Sequence, residues 1–137
     1  MPRTSISTDS APAAIGPYSQ AIRAGHLLFI SGQVPLDPAT GDMIDAGIAG
    51  QTHRVLKSLD SIVRASGATL GDVVKTTVYL ADMSDFTAMN RVYKTYFEDP
   101  APARVAVQVA RLPKDARVEI DAIVTLPSEC EPSVPVS

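Results

Sequence analysis

The chain has 137 residues, of which 45% are hydrophobic and 20% charged. That is enough apolar material for one buried core and argues against whole-chain disorder. The formal net charge of −3, from 12 Lys plus Arg against 15 Asp plus Glu, lacks the electrostatic footprint of a nucleic-acid binder.

No segment is long and apolar enough to cross a bilayer, and residues 1–10 hold no apolar stretch of the kind a secretory leader needs. The single cysteine, Cys130, cannot form an internal disulfide, so the cytoplasm is the expected compartment. Residues 1–14, rich in small polar side chains, are expected to form a loosely ordered arm. Residues 15–126 form a single expected domain, and the proline-rich residues 127–137 an expected disordered tail.

Along that domain, residues 27–31 read as a strand, and Pro35 and Pro38 place loop or edge structure after it. Thr40-Gly41-Asp42 reads as a turn. In residues 48–65 the apolar positions Ile48, Val55, Leu56, Leu59, Ile62 and Val63 repeat at three and four residues, which predicts an amphipathic helix with Gly67 as its stop. Residues 73–80 predict a strand with Val74, Thr76, Val78 and Leu80 on one face and Val73, Lys75, Thr77 and Tyr79 on the other. A second helix is predicted from a cap at Ser84 or Asp85 to about residue 97, ended by Pro100 and Pro102. In strand 104–109, Val105, Val107 and Val109 are expected to face the core, with Arg104, Ala106 and Gln108 opposite. In strand 118–124, Val118, Ile120, Ala122 and Val124 form the apolar face, with Glu119, Asp121 and Ile123 opposite. The fold class is α+β: one sheet with both helices on one face. The other face, polar but dotted with apolar side chains, is expected to be covered by partner subunits.

The chemistry available is limited. Two histidines, His26 and His53, and one cysteine make no metal-ligand pattern. No G-x-S-x-G and no glycine-rich phosphate loop occurs, so neither covalent hydrolysis nor a nucleotide cofactor is implied. Arg104 and Glu119 remain, both assigned to the sheet face opposite the runs of valine and isoleucine. A guanidinium on a rigid strand can grip a carboxylate with two parallel hydrogen bonds, and a neighbouring carboxylate can position water. A structural Arg–Glu pair at a subunit interface is the competing reading.

The motifs Ile15-Gly16-Pro17-Tyr18-Ser19-Gln20-Ala21, Ile30-Ser31-Gly32-Gln33, Asp72-Val73-Val74-Lys75-Thr76-Thr77-Val78-Tyr79, Pro102-Ala103-Arg104 and Val118-Glu119-Ile120, in this order, resemble the Rid family, also known as YjgF. The resemblance covers nearly the whole chain apart from its ends. It implies a chorismate-mutase-like fold, one mixed sheet backed by two helices, and a homotrimer with a central barrel and clefts between subunits. It also implies cofactor-free hydrolysis of 2-imino acids to 2-oxo acids and ammonia. By the same resemblance Arg104 grips the substrate carboxylate and Glu119 positions the attacking water. Tyr18 stands at the cleft mouth, or merely closes its loop. Ser31 and Gly32 lie beside the ligand, and Asn90 lies near it or simply faces solvent. The chain departs from better-known deaminases after the arginine, where a serine or threonine and then a cysteine or similar polar residue give way to Val105 and Ala106. Val105 is expected in the core and Ala106 in the cleft. Two rival readings remain: a small-carboxylate-binding regulator without turnover, and a related hydrolase or deaminase of a degradation pathway.

Overall fold

The periodic run at residues 48–65 folds as one helix, α1 (Ile48–Ala65), and buries Val55, Leu56, Leu59, Ile62 and Val63. Ser66 closes it and Gly67 follows at φ +91, a left-handed conformation that costs glycine little. The computed structural model describes residues 2–127. The expected tail lies outside the described residues from position 128 onward.

Beneath α1 lies a six-stranded sheet of β1 (Arg3–Ile6), β2 (Ala21–Ala24), β3 (Leu27–Gln33), β4 (Val73–Leu80), β5 (Ala103–Gln108) and β6 (Val118–Thr125). Its order is β1-β2-β3-β6-β4-β5. All neighbours are antiparallel except β4 and β5, which run parallel. A parallel pair needs a crossover, and α2 (Phe86–Tyr93) supplies it. The core is the layer between helices and sheet. It contains Leu28 and Ile30 of β3, Val78 and Leu80 of β4, and Val118, Ile120, Ala122 and Val124 of β6.

The structure corrects several expectations. Residues 2–14 are not a loose arm. β1 pairs with β2 in register, and the buried Gln20 amide clamps the following turn. Its Oε1 accepts the Thr8 N–H at 2.8 Å, and its Nε2 donates to the carbonyls of Thr8, Ala11 and Pro12. α2 ends at Tyr93, earlier than expected; Asp85 is its N-cap residue, as one of the two expected, but makes no side-chain cap bond, while Asp82 caps the preceding turn by accepting the Ser84 N–H at 2.9 Å. In β4 a register irregularity between Val73 and Lys75, opposite β6, buries Val73 and leaves Val74 exposed. In β5 the faces are the reverse of those expected. Ala106 packs against the core margin while Val105 and Val107 are exposed. The physical reason is position: β5 is an edge strand, and on its helix side α2 offers the Phe86 and Tyr93 rings to the Arg104 guanidinium.

Candidate active site

Arg104 pairs in register with Thr76 of β4, and in-register neighbours share a face. Thr76 is fully buried, and its hydroxyl meets the Tyr93 hydroxyl at 2.7 Å. Arg104 therefore lies on the helix-covered side. Its guanidinium stands 4.8 Å from the Tyr93 ring centroid and 5.5 Å from that of Phe86, and one Nη donates to Asn90 Oδ1 at 2.6 Å. Phe86, Asn90 and Tyr93 are spaced four and three residues apart, so one stripe of α2 carries all of them. Two rings and an amide orient the fork without neutralising it, and among the described residues no carboxylate pairs with Arg104. It opens on a cleft of ≈ 700 Å³ between α2 and the start of β5.

A second group forms on the other side of the sheet. Glu119 alternates with buried Val118 and Ile120, so it points away from the helices. Gly32 lies against it: a Cβ added to Gly32 would come within 2.9 Å of the Glu119 carboxyl carbon. A side chain at position 32 would push the Glu119 carboxylate aside. Ser31 donates its hydroxyl to the Ser19 carbonyl at 2.6 Å, which ties the end of β3 to the loop carrying Tyr18. That loop turns at Gly16 (φ +129), where the Tyr18 N–H reaches the Gly16 carbonyl at 2.9 Å, and the Tyr18 ring is exposed rather than folded in as a plug. Burial, and then the like charge of Asp121, raises the Glu119 carboxyl above its ordinary range. Burial and the bond it donates to Asp121 at 3.1 Å likewise raise the Tyr79 hydroxyl.

The predicted residues thus fall into two sets. Arg104 and Asn90 are together, and Ser31, Gly32 and Glu119 are together, with Tyr18 on the adjoining loop. The sets occupy opposite faces of the sheet, with β4 lying between β5 and β6. The expectation that Arg104 and Glu119 share a face does not hold within one chain. Val105, expected in the core, joins Phe29 and Val107 as exposed apolar surface on the Glu119 side, while Ala106 does stand on the same face as Arg104. Sequence reasoning missed the role of Phe86 and Tyr93 as the box around Arg104, reading them only as packing residues. The signal was Asn90, a polar residue inside an otherwise apolar stripe of α2.

Comparison with known proteins supplies the context. A family model described as Endoribonuclease L-PSP matches residues 8–126. A RutC family protein of Pyrococcus horikoshii is 56% identical over 118 residues, 86% of this chain and 94% of that protein. The mouse 2-iminobutanoate/2-iminopropanoate deaminase is 53% identical over 121 residues, 88% of this chain and 90% of its own length. Among solved structures, that of E. coli TdcF with bound serine superposes with a TM-score of 0.86 at 42% identity, covering 90% of this chain and 99% of that one. With a match over residues 8–126 and relatives at about half identity, the chain belongs to the Rid (YjgF) family.

Proposed function

We propose that this protein hydrolyses reactive 2-imino acids, such as 2-iminopropanoate and 2-iminobutanoate, to 2-oxo acids and ammonia. The observation that carries the reading is Arg104: a charged fork held by two rings and Asn90, with no counter-ion among the described residues, beside an open cleft. Such a fork suits a carboxylate. The names of relatives agree in kind, one being an imino-acid deaminase and another holding serine, which carries an α-carboxylate.

In the proposed mechanism Arg104 takes the substrate carboxylate by two parallel hydrogen bonds. Glu119 accepts a hydrogen bond from water and aims its oxygen at the imine carbon. That attack gives a carbinolamine. The water proton taken up by Glu119 passes to the imine nitrogen, and the hydroxyl proton of the carbinolamine follows it, so that the C–N bond breaks, ammonia leaves and the 2-oxo acid remains. An imine is already electrophilic, so positioning carries much of the work and no cofactor is required. Tyr18, Ser31, Gly32 and Asn90 line the bound substrate.

Because Arg104 and Glu119 face opposite ways in one chain, the complete site requires two copies. We assign Arg104 and Asn90 to one copy and Tyr18, Ser31, Gly32 and Glu119 to its neighbour, in a homotrimer in which the β5 edge of one copy, where Arg104 lies, adjoins the open sheet face of the next. The exposed Phe29, Val105 and Val107 on that face support this assembly.

The test is imine hydrolysis by purified protein. An amino-acid oxidase generates the imine in situ, and semicarbazide traps what remains. Wild type is expected to lower trapping, and Arg104→Ala to lose at least about a hundredfold in kcat/KM, since hydrogen bonds to a charged group contribute about 1.5–3 kcal/mol each. A folded, assembled wild type without effect on trapping overturns the enzyme reading in favour of a carboxylate-binding protein or a different substrate.

A further inference from the structure

The cleft at Arg104 carries more positive charge than one carboxylate needs. Its lining includes Arg91 and Lys94 of the α2 region besides Arg104, and among the described residues no acidic one. Asn90 and Lys94 are four residues apart and Thr87 precedes Asn90 by three, so one side of the helix and its last turn presents Thr87, Asn90 and Lys94, with Arg91 alongside. Elsewhere the chain neutralises exposed arginines locally: Asp60 pairs with Arg64 at 2.9 Å and Asp115 with Arg111 at 2.7 Å. Among the described residues Arg91 and Lys94 have no such acid. Three cations thus converge on one cleft in a chain whose net charge is −3, which makes the cleft a local attractor for anions.

We infer that the cleft favours dicarboxylic 2-imino acids: Arg104 holds the α-carboxylate, and Arg91 and Lys94 receive a distal carboxylate. The inference rests on the imino-acid reading of the site and names its substrate class. Arg91 and Lys94 are both exposed, so their flexible stems can close on a distal group without repacking the core. They act as specificity residues: the hydrolytic step is the same for monoanionic and dianionic imines, and only the grip on the far end differs.

The experiment uses stable reaction products, so it does not depend on turnover. Calorimetric titration of the full chain at low salt compares 2-oxoglutarate, a dianion, with 2-oxobutanoate, a monoanion. The dianion is expected to bind about tenfold more tightly, because two partly exposed charge pairs contribute a few-fold each. Arg91→Gln combined with Lys94→Gln should bring the two affinities within about twofold of each other, and added salt should narrow the gap in wild type. Circular dichroism and sedimentation confirm that the double variant folds and assembles. Equal affinities in wild type, no binding of the dianion, or a preference that survives the double substitution overturns the inference. Failure of imine hydrolysis with the charge preference intact overturns only the catalytic reading, and hydrolysis without the preference overturns only this one.

Discussion

Arg104 and Glu119 are prepared in opposite ways. Arg104 is oriented by rings and an amide that leave its charge uncompensated. Glu119 is half-buried beside Asp121, which makes ionisation harder. A carboxyl whose pKa is raised on folding keeps its proton to higher pH in the folded chain than in the unfolded one. Its contribution to stability is therefore largest at low pH and falls as pH climbs from the ordinary carboxylate range through the raised value. Glu119→Gln is expected to flatten that fall, read as a urea midpoint that changes less with pH than that of wild type. An identical pH dependence in the two proteins would remove the raised carboxyl as its source. Arg104 and Glu119 were legible as chemistry because few other residue types in the sequence offered any. Their facing was not. Alternation says which residues of a strand share a side, but not which side an edge strand turns toward its helix, and β5 turned the valines out.

At the scale of elements, the α2–β4–β5 corner is held by the hydroxyl contact between Tyr93 and Thr76 at 2.7 Å, fully enclosed on the Thr76 side. Tyr93→Phe keeps the ring against Arg104 but strands the Thr76 hydroxyl. The expected loss is about 1–3 kcal/mol of stability, the cost of a buried unsatisfied polar group. Chemical denaturation measures it, and a wild-type midpoint would mean that the contact contributes nothing net. α1 and the faces of β6 could be read directly from periodicity, because each presents one continuous apolar stripe to the core. β1 and β2 could not. They are four residues each, at the sheet margin, and β1 is nearly all exposed. The turn beyond β1 is held from a distance by Gln20, bonded across the intervening loop to Thr8, Ala11 and Pro12. No local pattern announces a contact of that kind.

For the molecule as a whole, the helices cover one side of the sheet and leave Phe29, Val105 and Val107 exposed on the other. Among the described residues no helix is long and apolar enough to cross a membrane. Under the proposed assembly this open face meets its copies, and a charge placed there should prevent association while sparing the protomer core. Val105→Asp is expected to sediment as a monomer with a folded circular-dichroism spectrum and to lack imine hydrolysis. A monomer that hydrolyses imines as wild type does would refute the shared site. The sequence motivated this expectation through apolar residues on an otherwise polar face, but it could not supply the number of copies; trimer came from family resemblance alone.

The placement of Arg104 and Glu119 on opposite faces also bears on inheritance. Each proposed site draws one of these residues from either copy, so an Arg104→Ala chain and a Glu119→Gln chain, both inactive alone, could repair one another when mixed. Random co-assembly would restore both residues in about a quarter of the interfaces of a cyclic oligomer. Two defective alleles expressed in one cell would then complement, whereas a site contained within one chain would give no recovery. Co-expression followed by the trapping assay reads that difference directly.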